Sequence, residues 1–188
     1  MFLRRKFLRV IDYFALLGQT RRPSLDPEKL KEKYFALARE RPADAELNEA
    51  FRVLSDPRLR LRHLLQLAGA DLGPGRDVPP ELADLFWDSG TLLREIDRWL
   101  LKNAEAQSDL SRALLRGEKA KLETRVKALE EELGSIYERQ VDQLSTLQVS
   151  DPVSPNEIKD MVERHDSLSY LNRLREQARE KSFRLRHA

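Results

Sequence analysis

Cysteine is absent from the 188 residues, which excludes disulfides, thiolate metal sites and thiol nucleophiles together. Glycine is scarce, seven in all, and charged residues make up 35%. That mix suits long helices bathed in solvent better than sheets. No apolar run approaches the ~18 residues that a membrane span needs. Glycine-rich phosphate loops, Ser-His-Asp elements and His-Glu metal helices are missing too, so an enzyme is not expected. Nor is there a DNA-binding motif or an array of stacking aromatics, and no nucleic-acid partner is expected. The three histidines, His63, His165 and His187, lie far apart with no i, i+4 pairing. No metal site and no cofactor follow from them.

What is present is a globular composition with an uneven charge. Apolar residues reach 40%, enough for a real core in one or two domains. The formal net charge of +2 conceals 15 Lys or Arg against 9 Asp or Glu in residues 1–68, and 19 against 23 in the remainder. The basic first third invites an acidic partner surface. The opening MFLRRKFLRV is basic and apolar, but Arg9 and Asp12 interrupt it and no small-residue cleavage site follows. It reads as a basic extension running into the first helix, not a secretory signal, and a cytoplasmic location is expected.

Periodicity and punctuation predict helices nearly everywhere and no strand. Val10–Leu17 is short and apolar and stops at Gly18, a suitable residue just past a helix end. Asp26 caps a helix with Pro27 in its first position and Leu30, Tyr34 and Leu37 on one face; Pro42 ends it. The next starts near Asp44 and aligns Leu47, Ala50, Phe51 and Leu54. Asp56-Pro57 opens a fourth, carrying Leu61, Leu64 and Leu65 before Ala68-Gly69. The breaker-rich GADLGPGRDVPP, residues 69–80, marks the domain boundary. Beyond it come a helix from about Glu81 to Lys102 and a long one from about Asp109 to Leu147. Leu122, Val126, Leu129, Leu133 and Ile136 of the latter alternate four and three apart, a heptad seam. Ser154, Pro155 and Glu157 form a capping box for the last helix, striped by Ile158, Met161, Val162, Leu168, Leu171 and Leu174. The fold class expected is all-α: a small helical lobe over 1–68, a hinge over 69–80 and an elongated three-helix bundle over 81–188.

DYFALLG at 12–18, KLKEKYFALARE at 29–40, LNEAFRVLSDP at 47–57 and RLRHLLQLAGADL at 60–72 resemble, in this order, the four helices of a J-domain. The closest resemblance is to the iron–sulphur cluster co-chaperone family HscB, in which a J-domain precedes a three-helix C-terminal domain. It continues past the hinge in LFWDSGTLLREID, AKLETRVKALEEEL and SLSYLNRLREQ. The departure lies between the second and third helices, where J-domains carry the His-Pro-Asp that triggers ATP hydrolysis by a DnaK-type chaperone. Here the shorter loop reads ERPADAE. Arg41 stands in the His place, Pro42 is kept, Ala43 takes the Asp place, and Asp44, one position late, suits the cap of the next helix. Little or no stimulation of a chaperone ATPase is implied.

The resemblance also implies two binding surfaces. Lys29, Lys31, Lys33, Arg39 and Arg41, with Pro42 and Asp44, match the side with which J-domains dock on a DnaK-type chaperone; a solvated helix face accounts for the same charges. Tyr13, Phe14, Tyr34, Phe35 and Phe51 are expected mostly in the core. An iron–sulphur cluster scaffold, or another client, would bind where the family has an apolar patch on its first C-terminal helix: here Phe86, Trp87, Gly90, Thr91 and Arg94, with Tyr170 from the last helix. Gly90 stands where the family has an aliphatic residue, and Thr91 and Arg94 where it has acidic ones, which implies a changed partner preference. At least one of the adjacent Phe86 and Trp87 should be exposed. The alternatives are an adaptor that kept the fold and changed partners, or a structural coiled-coil dimer through the Leu122–Ile136 seam. That seam spans only about two heptads, so a monomer or weak dimer is expected.

Overall fold

The computed structural model describes residues 10–70, 72 and 79–188. The basic extension expected over the first nine residues, and most of the hinge, lie outside the described residues. The protein is all-α, with no strand among the described residues. Its α-helices are α1 (Tyr13–Leu16), α2 (Pro27–Glu40), α3 (Ala45–Ser55), α4 (Pro57–Leu67), α5 (Ala83–Glu105), α6 (Asp109–Asp142) and α7 (Pro155–His187). Short 3-10 turns at Pro80–Leu82 and Gln143–Thr146 precede α5 and extend α6.

The first four helices all begin on an aspartate whose carboxylate takes the free N–H groups of the first turn. Asp12 accepts from Phe14 and Ala15, Asp26 from Glu28 and Lys29, Asp44 from Glu46 and Leu47, and Asp56 from Arg58 and Leu59, all between 2.8 and 3.3 Å. The cap at Asp12 explains why α1 starts at Tyr13 and leaves Val10 and Ile11 exposed, later than the apolar pattern predicts. Gly18 and Gly69 close α1 and α4 with φ of +59° and +72°, a conformation that costs a side-chain-bearing residue strain.

The chain divides into two compact units, one of residues 1–75 and 141–165, the other of 76–140 and 166–188. The boundary falls inside the expected hinge, but the bundle expected over 81–188 is split. The end of α6, the following loop and the start of α7 belong with the first unit.

In the first unit α3 packs against α1, α2 and α4. Phe14, Leu17, Leu30, Leu47, Ala50, Leu54, Leu61 and Leu65 are fully buried, as are Leu144 and Met161 from the later segment. His63 is buried with them. Its Nε2 accepts the Tyr13 N–H at 3.1 Å, and its ring stacks on Tyr13 and Phe14. Burial pushes its pKa below the usual histidine value, against the pull of Asp12. Ahead of α7, the capping box forms and is extended. Glu157 accepts from the Ser154 N–H at 2.7 Å and from both the N–H and the hydroxyl of Ser150 at 2.9 and 2.6 Å. Those bonds, the Ser150 hydroxyl first, lower its carboxyl to about 2.

The second unit is built on one core shared by three helices. Leu92, Leu93, Ile96 and Trp99 of α5 meet Leu115, Leu122, Val126, Leu129 and Leu133 of α6 and Tyr170, Leu171, Leu174, Ala178 and Leu185 of α7. The heptad seam is therefore consumed within the chain: Leu122 to Leu133 are buried there, with Ile136 packed against them. The buried Trp99 donates its indole N–H to the Leu115 carbonyl at 3.0 Å, which satisfies its one polar atom. At the far end Asn103 and Lys119 donate to the Ala188 and Arg186 carbonyls, each at 3.4 Å. The end of α5, the start of α6 and the end of α7 thus lie side by side.

Candidate functional site

The α5 face beginning at Phe86 is the more unusual surface of the second unit. Trp87 is 64% exposed and Phe86 37%, so both adjacent aromatics reach solvent, Trp87 the more. Their rings meet edge to face with centroids 5.5 Å apart. Large exposed aromatics are enriched at binding hot spots. Tyr170 differs from expectation: it is only 8% exposed and forms part of the core. Its ring underlies the patch, 6.2 Å from that of Phe86, with the Arg173 guanidinium 5.7 Å from its centroid. Helical rotation explains this. Tyr170 shares α7's buried stripe with Leu171 and Leu174, so it supports the patch from below.

The hydroxyls of Tyr170 and of Ser89 on α5 are buried without a hydrogen-bond partner among the described residues. Burial raises the Tyr170 pKa, only partly offset by Arg173.

Thr91 and Arg94 form a hydrogen-bonded group with the Trp87 carbonyl, beside Gly90. The Thr91 hydroxyl donates to the Trp87 carbonyl at 2.9 Å, and Arg94 donates to the Thr91 hydroxyl at 3.2 Å. The Arg94 guanidinium thereby lies over Gly90, where an added Cβ would stand 3.3 Å from its Nη1. Glycine at 90 leaves room for the arginine side chain to lie across it. The patch combines apolar anchors with one cationic side chain, Arg94.

In the first unit the basic residues Lys29, Lys31, Lys33, Arg39 and Arg41 are all exposed, as is Pro42. Lys29 pairs with Asp26 at 3.7 Å. Of the five aromatics expected in the core, Phe14 is fully buried and Tyr13, Tyr34 and Phe51 are half-buried, but Phe35 is 50% exposed. One residue further along α2 is a rotation of about 100°. Tyr34 packs on Phe51 at 4.2 Å, with its hydroxyl on Asn48 at 2.7 Å, while Phe35 turns outward. It lies on one helical row with Lys31 and Arg39, at i, i+4 and i+8. The wheel set by Leu30, Tyr34 and Leu37 held that signal.

Arg41 ends α2, Ala43 adopts a left-handed φ of +62°, and Asp44 is committed to the N-cap of α3. Among the described residues no group of three or more His, Asp and Glu side chains could hold a metal ion, and no helix is long and apolar enough to cross a membrane. No family model and no curated protein matches this chain.

Proposed function

We propose that this protein is a co-chaperone of the HscB type, which holds an iron–sulphur cluster scaffold or similar client on α5 and stimulates a DnaK-type chaperone weakly or not at all. The observation that carries the client site is the joint exposure of Phe86 and Trp87 on a helix whose other face is core. A solvent-facing pair of large aromatics is a cost to solubility that binding offsets. Four short helices in J-domain order, with an exposed Lys31, Phe35 and Arg39 row on the second, support a remnant chaperone-docking surface. The weak stimulation follows from the loop. No histidine is present there, and the carboxylate of Asp44, one position past the Asp place, already accepts two backbone N–H groups.

Steady-state ATPase measurements with the host's DnaK-type chaperone test the weak stimulation. The expected rate is near the basal one with this protein added; stimulation equal to that of an intact J-protein refutes it. Calorimetric titration with the host's cluster scaffold tests the client site. The adaptor reading, with the same fold and other partners, draws on Arg94, which places a cation where the resemblance implies an acidic residue. Failure to bind any cluster scaffold while the fold is intact would favour it.

A further inference from the structure

The second unit is electrically neutral but polarised. Residues 98–121 and 179–188, which form the end where Asn103 meets Ala188, carry ten Lys or Arg against four Asp or Glu. The rest of its described residues carry six against twelve. At the positive end a groove of about 370 Å³ runs between α5 and α6. Trp99 and Leu122 are at its floor, and Arg98, Lys102, Lys121 and Arg125 line its sides. Two carboxylates also line it, Glu95 and Glu118, of which Glu95 is taken up by Arg125. Lys102 and Lys121 have no ion-pair partner among the described residues.

Two leucines continue the groove's α6 wall. Leu110 and Leu114 stand two turns and one turn ahead of Glu118, at i, i+4 and i+8, and are 72% and 67% exposed. Nothing in the unit's packing uses them. Leu115 and Leu122 of the same helix are buried and the exposed Leu101 of α5 stands alone, so two bare leucines one turn apart beside uncompensated cations mark a face made for covering.

We infer that the α5–α6 groove, extended by Leu110 and Leu114, binds an acidic amphipathic helix of a partner protein. Its apolar face covers the two leucines and its carboxylates meet Lys102, Lys121 and Arg98. Charge complementarity selects an acidic partner, and concavity selects a protein segment over an anionic bilayer. A flat membrane would reach the leucines but not a groove floored by buried side chains and holding two carboxylates of its own. This surface does not depend on the client reading of Phe86 and Trp87, which Trp87→Ala tests separately.

The test uses the full chain and a fluorescein-labelled peptide of about 16 residues, more than four helical turns, with Leu along one face and Asp and Glu elsewhere. Anisotropy should show saturable binding, with a scrambled peptide of the same composition much weaker. Lys121→Glu and Leu114→Ser should each weaken binding by about tenfold or more, as loss of a hot-spot contact does. Lys127→Glu, an equal charge change at an exposed site on the opposite side of α6, should leave it within about twofold. Thermal melts confirm that these surface variants fold. The inference is overturned if neither peptide binds, if the scrambled peptide binds equally well, if Lys127→Glu matches Lys121→Glu, or if phosphatidylserine vesicles bind through Leu114 while the peptide does not.

Discussion

Ala43 is the residue whose replacement should say most about the loop after α2. It adopts φ +62°, a left-handed conformation that costs an L-residue about 1–2 kcal/mol. Its methyl is exposed, so deleting it forfeits little packing. Ala43→Gly removes the strain but adds freedom to the unfolded chain worth about 0.4–1 kcal/mol. The net expectation is stabilisation by about 0.5–1 kcal/mol, which at about 2 kcal/mol/M moves a urea midpoint up by about 0.3–0.5 M. Gly18→Ala is the mirror experiment. With φ +59° and nothing within 4 Å of an added Cβ, it should destabilise by about 1 kcal/mol through backbone strain alone. Far-UV circular dichroism follows both. Both tryptophans, Trp87 and Trp99, belong to the second unit, whereas residues 18 and 43 belong to the first. Tryptophan fluorescence therefore reports separately on the unit not altered. A lowered midpoint for Ala43→Gly at unchanged m would refute the strain argument, since it is what glycine does in an ordinary unstrained loop.

Other outcomes follow from the same geometry. Trp87→Ala should weaken scaffold binding by about 1–3 kcal/mol, the range of a hot spot, and leave the melting transition in place because the side chain is largely exposed; unchanged affinity in calorimetry would remove it from the site. Tyr170→Phe deletes a buried hydroxyl that has no partner among the described residues, so it should be neutral or stabilising by up to about 1 kcal/mol, and a clear loss in a melt would mean that the hydroxyl is bonded in solution. Gly90→Ala should raise stability by up to about 1 kcal/mol through helix propensity, because the only close neighbour is the flexible end of Arg94; a large loss on urea titration would show that end to be rigid. His63 has a depressed folded-state pKa, so the unfolded chain takes up the proton first: stability is full above the ordinary value of 6.5 and declines as pH falls below it. Melting temperatures at pH 7.5 and 5.5 should reveal this, and His63→Gln, which does not titrate, should flatten the dependence.

Local rules were legible in the residues themselves. A capping aspartate, with or without a following proline, a capping box four residues long, a glycine after an apolar run and a heptad seam act over one or two helical turns, so Asp26, Asp44, Asp56, Ser154 and Gly18 announce the helices they begin or end. The all-α class follows from them. What the sequence left open was which side of each helix would be covered, because that depends on residues far away in the chain. Tyr34 and Phe35 are neighbours of like chemistry, yet α3 supplies Phe51 and Asn48 to the first and nothing buries the second. Tyr170, placed by resemblance on a binding surface, is drawn into the core by its companions on α7. Residues 141–165 join the first unit although they continue directly from the part of helix α6 that belongs to the second. The strained turn at Ala43 and the groove beside Leu114 are likewise products of packing: a backbone angle and a concavity exist only once separate helices are held against one another, and no spacing rule along one strand of sequence encodes them.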